Sequence, residues 1–188
     1  MSRLVKTLLL FVFVLVAAFL IQGVGRIISA NSEGNSNVGG SVGAVASELR
    51  GGGEWINSEP LLIRELEGKV VLVDFWTFSC RNCINTFPHL KAWHEKYADS
   101  GLVIIGVHSP EFRFEQDIEN LRTAIADHGI TYPVVQDNDF LIWQAYGNRF
   151  WPHKYLVDKQ GVIRYDHIGE GAYNETETWI VRLLNEDI

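Results

Sequence analysis

Apolar and polar positions divide the chain into elements. Residues 70–73 are an unbroken apolar run, continued by Phe75 and Trp76. Such a run is the pattern of a strand covered on both faces, as in a parallel sheet. The next apolar positions, Ile84, Phe87, Leu90, Trp93 and Tyr97, fall three or four apart. They predict a helix over 82–98, with Pro88 inside it as a kink. Residues 102–107 predict a second buried strand. Ile118, Leu121 and Ile125 predict a helix over 115–128, stopped by Gly129. A short strand is expected at 132–135 and a short helix at 139–146, capped by Asn138 or Asp139. Residues 154–157 and 162–167 predict two strands joined by the turn Asp158-Lys159-Gln160-Gly161. A last amphipathic helix is expected at 176–184.

The first 53 residues follow other rules. Arg3 and Lys6 precede the apolar run 8–21, and no charge occurs over 7–25. That stretch is about long enough to cross a bilayer as a helix. Positive charge ahead of it predicts a cytoplasmic N-terminus, with the remainder outside. A cleaved signal peptide ending near Ile28-Ser29-Ala30 is the rival expectation. Residues 1–30 are therefore expected to be an anchor or signal, and 31–53, rich in Asn, Ser and Gly, a flexible linker. The folded domain is expected over 54–188, opening with turns around Asn57-Ser58-Glu59-Pro60 and Glu67-Gly68-Lys69 and a short strand at 61–63.

Net charge changes the picture only by exclusion. At −7, with no basic stripe, the chain is not expected to bind nucleic acid. The cysteines change it more. Cys80 and Cys83 are the only two, and both lie where the first buried strand gives way to a helix. The free N–H groups and positive dipole end of a helix start favour a thiolate. A disulfide across so short a loop adds little chain-entropy stabilisation, so a redox role explains the pair better than a structural one. Arg81 beside Cys80 is expected to lower its pKa further. Asp74 lies mid-strand, where a carboxylate is costly unless it has a task. Burial should raise its pKa and suit it to exchanging a proton with Cys83.

These landmarks resemble the thioredoxin superfamily. Asp74-Phe75-Trp76, Cys80-x-x-Cys83 and Pro88 fall at its spacing. The chain is more similar to the extracytoplasmic TlpA/ResA-like branch, and above all to the thioredoxin-like domain of DipZ-type proteins. The residues that carry this are Gly106-Val107-His108-Ser109-Pro110-Glu111-Phe112, Tyr146-Gly147-Asn148-Arg149-Phe150-Trp151-Pro152 and Gly169-Glu170-Gly171. The resemblance covers roughly 54–188. It implies an α/β thioredoxin-like fold, a central mixed sheet flanked by helices, with an N-terminal hairpin extension over 54–69.

The resemblance also implies roles. Cys80 would be the nucleophile and Cys83 the resolving thiol, with Asp74 and Glu111 tuning them. Pro152 would be a cis-proline whose neighbour, Trp151, pairs with an extended substrate. Trp76, Arg81 and Asn82 would flank that substrate. The expected function is an extracytoplasmic, membrane-anchored thiol–disulfide oxidoreductase without a cofactor. Its substrates would be proteins, its electrons would come from a separate redox partner, a membrane electron-transfer protein being one candidate, and cytochrome c maturation is one pathway that uses such proteins. The dipeptide Arg81-Asn82 leaves the direction of reaction open. Two alternatives stand beside it. One is a copper-binding or copper-delivery module using Cys80, Cys83 and His153. The other is a thiol peroxidase, for which Thr77 lies three residues before Cys80.

Overall fold

The apolar run becomes the central strand. In the computed structural model, which describes residues 38–187, the strands are β1 (Val38–Gly39), β2 (Val45–Ala46), β3 (Trp55–Ile56), β4 (Val70–Trp76), β5 (Leu102–His108), β6 (Val134–Gln136), β7 (His153–Val157) and β8 (Ile163–Ile168). The helices are α1 (Arg81–Tyr97), α2 (Ile118–His128), α3 (Leu141–Ala145) and α4 (Tyr173–Asn185). Six strands form one sheet in the order β3-β6-β5-β4-β7-β8. β4 pairs in parallel with β5 and antiparallel with β7, so it has no free edge, and all seven of its residues are buried. β8 pairs antiparallel with β7, and β3 antiparallel with β6.

Side chains of β4 alternate between two cores. Val70, Leu72 and Trp76 join Phe87, Leu90 and Trp93 of α1, Leu121 of α2, and Ile180 and Leu183 of α4. Val71, Val73 and Phe75 join Ile142 of α3, Tyr146 and Tyr155. Burying a large apolar side chain contributes about 1.5–3 kcal/mol, so the two cores pin β4 in one register. Asp74 lies on the α1 side of this alternation.

Element boundaries differ from expectation where side chains cap the backbone. The helix expected from 115 starts at Ile118, because Asp117 accepts hydrogen bonds from the N–H groups of Glu119 and Asn120. Residues Arg113–Gln116 form a separate 3-10 turn. The cap of α3 is neither Asn138 nor Asp139. Asp137, fully buried, accepts from the N–H groups of Ile142 and Trp143.

Two expectations about the N-terminal side are corrected. No hairpin forms over 54–69. Trp55–Ile56 instead adds to the sheet edge beside β6, and the strand expected at 61–63 gives way to a 3-10 turn at Ile63–Leu66. Nor is the linker free over its second half. Ala44, Ala46 and Leu49 are buried, and Ala46 and Leu49 belong to the α3-side core. Gly43 and Ala46 donate backbone hydrogen bonds to Ile163 and Gly161, and Ile163 donates one to Ala44. Small residues there allow close backbone approach, so their composition marks packing rather than flexibility. The expected anchor or signal at 1–30, and the linker up to residue 37, lie outside the described residues. Among the described residues, no helix is long and apolar enough to cross a membrane.

Candidate active site

β4 delivers the chain to α1 through Thr77-Phe78-Ser79, and Cys80 is the cap residue at the start of that helix. Its Sγ accepts a hydrogen bond from the N–H of Cys83 at 3.3 Å. Cys80 is partly exposed, while Cys83 is buried behind it, and both are reduced. The bond from the Cys83 thiol lowers the Cys80 pKa most. It works against burial, with help from the N–H groups of Cys83 and Asn82, and brings the pKa to about 7. Glu111 opposes this with its negative charge. Burial pushes the Cys83 thiol far above its usual range, reinforced by its bond to Cys80. The two sulfurs are thus sharply differentiated. One is accessible and near half-ionised at neutral pH; the other is enclosed and protonated.

Beneath them sits a buried polar group of side chains. Asp74 is 1% exposed, and neither carboxylate oxygen has a hydrogen-bond partner. Burial raises its pKa to about 7, against the attraction of Lys154, and the charge on Cys80 adds to the rise. Lys154 lies opposite Asp74 in the β4–β7 register and is equally buried. Its Nζ donates to the carbonyl of Gly169 at 3.1 Å. Burial lowers the Lys154 pKa while Asp74 and Cys83 pull it back up. The hydroxyl of Tyr132 is buried nearby without a partner, its pKa raised by burial and by the charges of Asp74 and Cys83. Sequence reasoning passed over Lys154. Its signal, a lysine inside a buried strand pattern, is the counterpart of the one that marked Asp74.

The other expected site residues fall into three groups. Arg81 and Asn82 are exposed at the start of α1, as a surface flanking Cys80 requires. Arg81, however, is not among the leading causes of the lowered Cys80 pKa, which come from Cys83 and the helix N–H groups. The Trp151–Pro152 peptide bond is cis. Trp151 packs on the same core as Cys80, lies tilted against Trp143 with ring centroids 4.4 Å apart, and donates from its indole N–H to the carbonyl of Ser109 at 3.0 Å. Trp76 is corrected. It is fully buried, edge-on to Phe87 and His108, and cannot touch a substrate in this arrangement. Gly106 makes room for it, since a Cβ there would lie 2.7 Å from its Nε1.

Two alternatives lose their geometry. His153 faces Tyr155 on the α3 side of the sheet, with Nδ1 2.6 Å from Asn148 Oδ1 and Nε2 3.0 Å from Asp166 Oδ2. It does not join the cysteines in a ligand set. Among the described residues, no three His, Cys, Asp or Glu side chains converge on a metal-sized site. Thr77 is buried, its hydroxyl 3.4 Å from His108 Nε2, and only its carbonyl meets the Cys80 N–H.

A second glutamate was missed. Glu111 is exposed and contributes its backbone N–H, whereas Glu115 in the next turn is fully buried. One Glu115 oxygen accepts from Ser79 N–H at 3.1 Å and Ser79 Oγ at 2.7 Å. The other accepts from the N–H groups of Glu111 at 2.7 Å and Phe112 at 2.8 Å. In the sequence Glu115 looks like a solvated acid in the first turn of a helix. Only the tertiary approach of Ser79 reveals it.

Comparison with known proteins agrees with this geometry. Residues 52–166, more than half of the chain, match the AhpC/TSA family. Protein DipZ of Mycobacterium bovis is 45% identical over 144 residues, which is 75% of this chain but 21% of DipZ. The chain thus spans about a fifth of the DipZ proteins it matches. Thiol-disulfide oxidoreductase YkuV of Bacillus subtilis is 30% identical over 74% of this chain and 93% of its own length. The crystal structure of a thiol-disulfide isomerase from Corynebacterium glutamicum superposes with a TM-score of 0.65 and 27% identity, covering 72% of this chain and 94% of that one. With Cys80 and Cys83 at the head of α1 on a thioredoxin-like sheet, the chain belongs to the AhpC/TSA family, among its thioredoxin-like thiol–disulfide oxidoreductases.

Proposed function

We propose that the protein reduces or exchanges disulfides in other proteins, outside the cytoplasmic membrane and tethered to it. The observation that carries the chemistry is the division of labour between the sulfurs. Cys80 is accessible with a pKa near 7, and Cys83 is enclosed and protonated behind it. The Cys80 thiolate attacks a substrate disulfide, and one substrate sulfur leaves as a thiolate. Cys83 then passes its proton to ionised Asp74 and attacks Cys80 Sγ, releasing the second substrate sulfur. The substrate leaves with two electrons more, and the Cys80–Cys83 disulfide remains. Two electrons from a separate redox partner restore the dithiol. Arg81 and Asn82 follow the exposed sulfur at the head of α1, and with Trp151 and Pro152 they would form the surface on which an extended substrate lies. Glu111 restrains the Cys80 thiolate by its charge.

The location rests on the first 25 residues, where Arg3 and Lys6 precede an uncharged apolar stretch. Disulfide chemistry suits that compartment. The deciding experiment is the reduction potential of the Cys80–Cys83 pair. A value near about −270 mV identifies a reductant; one near about −120 mV identifies an oxidant and overturns the reductive direction. Protease treatment of intact and lysed cells tests the location. Protection of the domain in intact spheroplasts would refute it.

A further inference from the structure

We propose that Glu115 is a positioning residue for Cys80, a clamp that holds the loop entering the nucleophile against the loop leaving β5. The inference rests on the thiol–disulfide reading above for its meaning, though not for its geometry.

Two stretches meet at this carboxylate. Ser79, immediately before Cys80, supplies an N–H and a hydroxyl to one oxygen. Glu111 and Phe112, just beyond β5, supply two N–H groups to the other. A glutamate that merely capped its own 3-10 turn would need Phe112 alone. Here it reaches a residue 36 positions away in sequence. Among the described residues no cation pairs with it, and its neighbour His108 is held neutral, burial lowering that imidazole to about 4. Burial would raise the Glu115 carboxyl, but the hydrogen-bonding groups around it, the Ser79 N–H and hydroxyl and the Phe112 N–H among them, prevail and keep it ionised.

The donor count makes the requirement specific. Three backbone N–H groups and one hydroxyl converge on two oxygens. Only an ionised carboxylate offers acceptors on both sides. An amide of the same shape fails whichever way it turns. With its NH2 toward residues 111 and 112 it confronts two N–H groups; toward Ser79 it confronts one. In either case a buried donor is left unpaired, and one side of the clamp opens. With either side open, Ser79 is no longer tied to the loop after β5, Cys80 Sγ loses its fixed position over the Cys83 N–H, and the thiolate loses the bonds that lower its pKa.

The test is the pH profile of Cys80 alkylation by iodoacetamide in the reduced protein, where buried Cys83 does not compete. For Glu115→Gln the midpoint should rise from near 7 toward the ordinary thiol value of about 8.5. At pH 7 this appears as a rate at least threefold slower. Ser79→Ala removes one of the four donors and should shift the profile in the same direction by less. Added to Glu115→Gln it should change nothing further. A folded Glu115→Gln protein with an unchanged or lowered midpoint overturns the proposal, as does full additivity of the two substitutions. If Glu115→Gln does not fold, Ser79→Ala decides alone, and a profile identical to the parent's is the refuting result. A parent protein that forms no reversible Cys80–Cys83 disulfide would instead sink the oxidoreductase reading, while its alkylation profile still reports on the clamp.

Discussion

Replacing Asp74 by Asn should make the protein more stable at alkaline pH and slower as a catalyst. Burial lifts the carboxyl from 3.8 to about 7 even with Lys154 opposite it. A group whose folded pKa is raised contributes its full stability below the unfolded value and loses it as pH rises toward the folded one. The loss runs from about pH 4 to about pH 7 and then levels off. Three pKa units at about 1.36 kcal/mol each give a loss on the order of 4 kcal/mol. Asn mimics the protonated acid, leaves Lys154 in place and does not titrate. Urea unfolding of the reduced protein at intervals from pH 4 to pH 9 measures the effect. Parent and variant curves should lie close together at pH 4 and separate by about that amount at pH 8, the variant on top. The same variant should release substrate from the Cys80 mixed disulfide more slowly, because the Cys83 proton has lost its acceptor. Curves that run parallel across the whole range would refute the argument, since Asp74 would then ionise in the folded protein as easily as in the unfolded chain.

Other outcomes follow from the same structure. Cys83→Ser should accumulate a mixed disulfide between Cys80 and substrate, visible as a higher band on a non-reducing gel; absence of any adduct would contradict Cys80 as the attacking sulfur. Gly106→Ala places a Cβ 2.7 Å from the Trp76 indole nitrogen in a packed core, and should cost about 1–3 kcal/mol by chemical denaturation. Removing residues 38–53 exposes the surface that Ala44, Ala46 and Leu49 cover. Comparing fragments 38–187 and 54–187 should show a loss of about 3 kcal/mol; equal stability would restore the picture of a free linker.

The sequence was most informative where one residue type carries its own reason. An acid inside an apolar strand and two cysteines at a helix start announced themselves locally, and both sit where expected. Trp76 was misjudged because an aromatic next to a motif looks the same whether it faces substrate or core; Gly106, the residue that accommodates its indole, lies on another strand. Lys154 and Glu115 matter through partners dozens of residues away, Asp74 across the sheet and Ser79 across two loops. The second half of the supposed linker was misread for a related reason. Gly, Ala and Ser describe a mobile tether and a segment pressed against backbone equally well, and only its hydrogen bonds to Gly161 and Ile163 tell them apart.

The clamp at Glu115 has a consequence for when the protein becomes reactive during its synthesis. Both cysteines emerge from the ribosome before the acid that fixes Ser79 and well before the lysine that faces Asp74. Until β5 docks and β7 closes on β4, the nascent chain carries two ordinary thiols with no helix start held in place to sharpen either one. Reactivity is therefore a property of the completed domain, acquired with its last strands. A half-made chain, the form most exposed to unwanted cross-linking, is also the form in which Cys80 is least able to attack.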